Sequence, residues 1–143
     1  MKRIVLITVV VLALRVAGTE AYPFTPGLNR AYQDAVHYWG GEPSRCSSLD
    51  KEIVPNGALP EGASGWATIP ASGAFTPCVL YVSRWLAKPL EWGVACRVIV
   101  HEMGHLHGLQ HNATPGDVMN PETTQMPPIC AKRVDRETRF AGI

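Results

Sequence analysis

The sequence predicts one compact α+β domain, and three observations predict it. Apolar residues recur at helical spacing in two stretches, 26–39 and 97–106, and a β-branched and aromatic run stands at Cys78–Ser83. Turn formers are dense as well: 13 Gly and 12 Pro in 143 residues leave room for few long elements. The length fits a single core, and hydrophobic residues at 46% are enough to fill one. Lys plus Arg number 13 against 12 Asp plus Glu, so no charge excess points to nucleic acid or an anionic membrane surface, and no nucleic-acid partner is expected.

The elements follow in order. Lys2 and Arg3 precede the apolar run Ile4–Leu14, and Thr19 and Ala21 stand at the spacing a signal peptidase reads. Residues 1–21 therefore read as a secretory signal and 22–143 as the mature domain. The 11 residues of that run rise about 16 Å as a helix, against roughly 30 Å of bilayer hydrocarbon, so no stable membrane span is expected. An uncleaved, loosely anchored segment is the alternative. Export favours disulfides among Cys46, Cys78, Cys96 and Cys130, which include no CxxC pair. Of the three pairings, Cys46–Cys78 with Cys96–Cys130 is preferred because it closes the shorter loops; the other two stay open.

Thr25 and Pro26 form a cap and first-turn pair. Leu28, Ala31, Tyr32, Ala35 and Trp39 then recur at helical spacing until Gly40 and Gly41, which predicts a first helix over 26–39. From Ser44 to Pro77 the chain reads as loops with short strands at Glu52–Pro55 and Trp66–Pro70, and Cys78–Ser83 is the clearest strand. Arg97–Leu106 is helical, with Ile99, Met103 and Leu106 forming one buried stripe and Gly108 at its end. A final helix is expected from near Ile129, after Pro127 and Pro128, toward Phe140. Trp66, Trp85 and Trp92 could line a substrate cleft but are assigned to the core as large aromatics of a small domain, and His37 is assigned to the surface or to packing. Lys132, Arg133, Arg136 and Arg139, interleaved with Asp135 and Glu137, are assigned to a solvated helix face.

The chemistry sits in His101-Glu102-Met103-Gly104-His105-Leu106-His107-Gly108-Leu109-Gln110-His111, which is HExxH extended to HExxHxxGxxH. Residues four apart share a helical face, so His101 and His105 can aim imidazole nitrogens at one metal. Gly108 can take a left-handed turn without a Cβ penalty and send the chain back, so that His111 supplies a third nitrogen. Three ligands leave the fourth position of tetrahedral zinc to water, whereas structural zinc is usually closed by four and favours cysteine. Glu102 is positioned to take a proton from that water and deliver it to a leaving amine. His107 lies roughly 200° around the helix from His105 and is excluded from the ligand set.

These residues resemble the metzincin zinc endopeptidases, whose extended motif is followed by a Met-turn. Asp117-Val118-Met119-Asn120-Pro121 is similar to that turn, with Met119 eight residues after His111, and the short gap most resembles the matrixin branch. The resemblance gives Met119 the role of an apolar floor beneath the metal histidines. It also makes Gly65-Trp66-Ala67-Thr68 similar to the upper edge strand that binds substrate, and it covers most of 26–140. It implies a small twisted mixed sheet with a first helix, an active-site helix and a C-terminal helix. Pro121 stands where astacin-like members carry a tyrosine, so oxyanion stabilisation is expected from zinc and backbone donors. No counterpart of the acidic calcium loop of matrixins occurs between Asp50 and His101, so no calcium requirement is carried over and the cysteines are expected to supply the bracing. Nor is an inhibitory pro-segment expected between the signal and the first helix. The implied protein is a secreted, monomeric zinc metalloendopeptidase acting on peptides or proteins. Two alternatives are a catalytically silent zinc-binding or host-interaction module on the same fold, and a hydrolase of cell-wall cross-linking peptides.

Overall fold

A computed structural model describes residues 21–69, 71 and 74–131. The signal-peptide assignment and the basic stretch at 132–139 lie outside the described residues. The first helix, α1, spans Pro26–Trp39 as expected: the Thr25 side chain accepts a hydrogen bond from the Leu28 N–H (3.3 Å), and Gly40 ends the helix at φ +78°. Leu28, Ala31, Tyr32 and Ala35 are its buried face.

A four-stranded sheet lies beside it, built from β1 (Tyr22–Pro23), β2 (Cys46–Val54), β3 (Gly65–Ala67) and β4 (Thr76–Ser83) in the order β1-β2-β4-β3. β2 and β4 pair in parallel, while β1 on β2 and β3 on β4 are antiparallel, so the sheet is mixed. Alternation along β4 turns Cys78, Leu80 and Val82 inward, each fully buried, and leaves Val79 and Tyr81 half-exposed on the other face. β2 is the main departure from the sequence expectation, which placed a strand only at 52–55. Its first half, CSSLD, exposes Ser47, Ser48 and Asp50 and buries Cys46 and Leu49 only in part, and it is held extended by its register on β4, with Leu49 opposite Cys78 and Ile53 opposite Val82.

The second helix, α2, spans Trp92–Leu106, five residues longer at its start than expected. Gly93 and the β-branched Val94 are weak helix formers, but Ala95 and Cys96 are completely buried, so packing against α1 and the sheet decides. Ile99, Met103 and Leu106 are all fully buried, as the stripe predicts. The disulfides are Cys46–Cys78, tying β2 to β4, and Cys96–Cys130, tying α2 to the far segment, with Cα separations of 5.5 and 5.7 Å. Helical backbone starts again at 128–131, where the last helix was expected, and the rest of that helix lies outside the described residues.

Candidate metal centre

α2 carries His101 and His105 one turn apart, and the chain leaves the helix through a tight reversal. Gly108 adopts φ +91°, its N–H donates to the His105 carbonyl (2.9 Å), and the Leu109 N–H reaches back to the Gly104 carbonyl (3.0 Å). That pair of bonds satisfies the last helical carbonyls and swings His111 over the helix face. The His111 Nε2 then lies 3.1 Å from the Nε2 of His101 and 3.1 Å from that of His105. Of the described residues, these three form the group that could hold a metal ion.

Two backbone carbonyls decide which nitrogens are free. His101 Nδ1 donates to the Val118 carbonyl at 2.6 Å and His105 Nδ1 to the Leu109 carbonyl at 2.9 Å. With Nδ1 protonated, each Nε2 presents a lone pair to the centre. Burial depresses the pKa of both rings, the carbonyl bonds act in the opposite direction, and the repulsion that a protonated ring would meet from its histidine neighbours and from Arg97 lowers His101 further. The Nε2 lone pairs of His101 and His105 point to the place where His111 Nε2 also lies, an arrangement that a cation can satisfy. Tetrahedral zinc with Zn–N near 2.05 Å needs N···N of about 3.3 Å, close to the spacing present. The donor set therefore fits a metal ion.

Glu102 is buried, at 8% exposure, and its carboxyl is pushed up to about 7 by that burial, with a backbone hydrogen bond from Ala67 acting in the opposite direction. It lies against β3 because position 65 has no side chain. A Cβ there would stand 2.5 Å from Val98 Cγ1, 2.8 Å from Glu102 Cγ and 3.0 Å from Glu102 Oε1. Gly104 permits an equally close approach on the other side of α2: a Cβ would meet Met119 Sδ at 2.3 Å and Trp39 Cζ2 at 2.9 Å. Met119 is buried in the turn after His111, its N–H bonded to Asp117 Oδ1 (2.7 Å) and its carbonyl to the Asn112 N–H (3.1 Å). The turn thus delivers Val118 to His101 and Met119 to the residue before His105. Neither glycine was singled out from the sequence as a packing site. A glycine inside a short strand or a helix is the signal that could have found them.

The triad and Glu102 line a cleft of about 650 Å³ whose walls are β3 with the turn before it on one side and 118–123 on the other. Trp66 corrects an expectation. Assigned to the core, it is 45% exposed and lines this cleft, because the strand's alternation turns Gly65 and Ala67 inward and Trp66 outward. Trp85 and Trp92 are half-buried against the core as expected, and His37 is exposed. His107 stands apart from the ligands, its ring 5.9 Å from that of Trp39 and its Nε2 enclosed without a hydrogen-bond partner among the described residues. Pro121 lines the cleft, as does Arg97, four residues before His101, which sequence reasoning passed over although helical spacing would have marked it. Compared with protein-family models, with curated proteins and with solved structures, the chain matches none of them.

Proposed function

We propose that this chain is a secreted zinc endopeptidase of metzincin type, in which His101, His105 and His111 hold the metal and Glu102 is the general acid–base. The observation that carries the reading is the convergence of three Nε2 atoms at a cleft beside a buried carboxyl. When bound, zinc supplies a Lewis acid that acidifies water and polarises a carbonyl. Glu102 takes the proton of the attacking water on a carboxylate oxygen and passes it to the departing amide nitrogen, so that one side chain serves both halves of the hydrolysis. A carboxyl raised to about 7 is suited to both tasks near neutral pH. The Val118 and Leu109 carbonyls keep the ligand rings from turning.

Substrate access supports an extended peptide. Among the described residues β3 pairs with β4 on one side only, and its other edge borders the cleft, where a chain can add as a further strand. The two disulfides fit an extracellular protein, and no helix among the described residues is long and apolar enough to cross a membrane. The deciding experiment is Glu102→Gln, compared with wild type on a quenched peptide library at matched zinc occupancy. Zinc should be retained while turnover falls by about 10²- to 10⁴-fold. Equal turnover refutes Glu102 as the acid–base, and no turnover by either protein favours the silent binding module.

A further inference from the structure

Arg97 stands one helical turn before His101 on the same face of α2. Its Nη1 donates to the Thr123 carbonyl, which places the guanidinium on the cleft wall formed by 118–123. A guanidinium has five N–H donors and stays charged at every accessible pH, so one backbone bond leaves most of its capacity unused. Arg97 has no carboxylate partner among the described residues. Val98, Val118 and Pro121 line the cleft with it, alongside the polar Asn120 and Thr123. The two carboxylates that do line the cleft, Glu61 and Glu102, lie toward the β3 wall, Glu61 in the turn preceding β3 and Glu102 against Gly65. Among the residues that line the cleft, the carboxylates thus stand toward the β3 wall and the cation Arg97 on the 118–123 side, where the exposed Glu122 is not one of the lining residues.

Resting on the peptidase reading above, we infer that Arg97 sets the specificity of this cleft and selects peptides carrying an Asp or Glu side chain close to the scissile bond on the 118–123 side. A carboxylate can accept two parallel N–H bonds from the guanidinium fork, which the isosteric amide cannot match. The pair forms only when a substrate is seated, so the charge complementarity acts as a filter on the peptide.

The test uses zinc-loaded protein and two readouts. Binding is measured by fluorescence anisotropy on Glu102→Gln, with hexapeptides in which Glu, Gln, Leu or Lys is fixed at each position in turn. Cleavage of the same peptides by wild type is followed by mass spectrometry. At one position Glu should bind about tenfold more tightly than Gln, and the contrast should shrink in 0.5 M salt. Adding Arg97→Gln should abolish the contrast, Arg97→Glu should shift the preference to Lys, and Arg97→Lys should keep part of it. Equal binding of Glu and Gln peptides at every position overturns the inference, as does a preference that survives Arg97→Gln. A bracing role for Arg97 alone would weaken all peptides equally and would also overturn it. If the Arg97 variants fail to fold, the Glu/Gln contrast and its salt dependence in the Arg97 protein still decide. Turnover without a Glu preference would sink this inference and leave the peptidase standing; a Glu preference in binding without turnover would do the reverse.

Discussion

Placing an alanine at position 65 tests whether β3 lies directly on Glu102. The added Cβ would sit 2.5 Å from Val98 Cγ1 and 2.8 Å from Glu102 Cγ, where carbon atoms prefer about 3.5–4.0 Å. Both obstructing side chains belong to α2, whose other face is packed into the core, so most of the required movement, on the order of 1 Å, falls on the edge strand. Overpacking of this size costs about 1–3 kcal/mol, and exchanging Gly for Ala in a strand returns about 0.5–1 kcal/mol. A net loss of about 0–2.5 kcal/mol lowers the melting temperature by up to roughly 10 °C for a domain of this size. The functional effect should be larger than the thermal one. Retreat of the strand draws the Ala67 N–H away from the Glu102 carboxyl and raises its pKa further, and a misplacement near 1 Å costs about 10²-fold in rate. Zinc content should not change, because no ligand is on β3. Thermal melts, metal analysis and peptide turnover of Gly65→Ala check all three parts. An unchanged melt and unchanged turnover would refute the packing of β3 on Glu102, and loss of zinc would refute the separation of the strand from the triad.

Alanine at His101, His105 or His111 should strip most of the zinc from purified protein while His107→Ala retains it, measured by elemental analysis after gel filtration; the opposite pattern would reassign the ligands. Because burial lowers the pKa of His101 and His105, protons should compete for these rings less than for free imidazole, so metal held at pH 7.5 in equilibrium dialysis at fixed free zinc should still be held at pH 6.5, and loss of most of it over that interval would contradict the lowered pKa. In metal-free protein the raised Glu102 carboxyl favours the folded state fully below its unfolded value of 4.5, and that contribution is lost as pH rises through about 7. Urea unfolding should therefore find Glu102→Gln more stable than wild type by about 3 kcal/mol above pH 7 and no more stable near pH 4. Opening Cys46–Cys78 or Cys96–Cys130 should destabilise the domain by about 2–5 kcal/mol each, read from melts of the Cys-to-Ser pairs.

What could be read in the sequence was whatever depends on short-range spacing. α1 is legible because its cap, its apolar period and its terminal glycine all lie within a few residues of one another, and the same is true of the turn at Gly108 that brings His111 back to the helix face. The preferred cysteine pairing also agrees with the structure, since the shorter loops are the ones closed. β2 was only partly legible, because residues 46–50 have no apolar alternation of their own and owe their extended form to a partner strand roughly 30 positions away. Trp66 was misassigned for a related reason: a residue's side in a three-residue strand follows from register on β4, which composition does not reveal. Gly65, Gly104 and Arg97 matter through contacts with residues distant in sequence, Glu102, Met119 and Thr123, and their importance emerges only from packing.

The Cys96–Cys130 bond has a topological consequence for the chain that runs between its ends. His101, Glu102, His105, His111, Met119 and Thr123 all fall inside the covalent ring it closes, and the stretch 109–116 in the middle of that ring is exposed throughout. Exposed loop residues are where proteases cut. A single nick anywhere in the ring would open it without dividing the molecule, so the two halves of the metal-binding set would stay tethered at the base of α2 and could re-engage. Such a nicked chain would migrate as one species on a non-reducing gel and as two after reduction, and the loop that carries His111 could be cut without being lost.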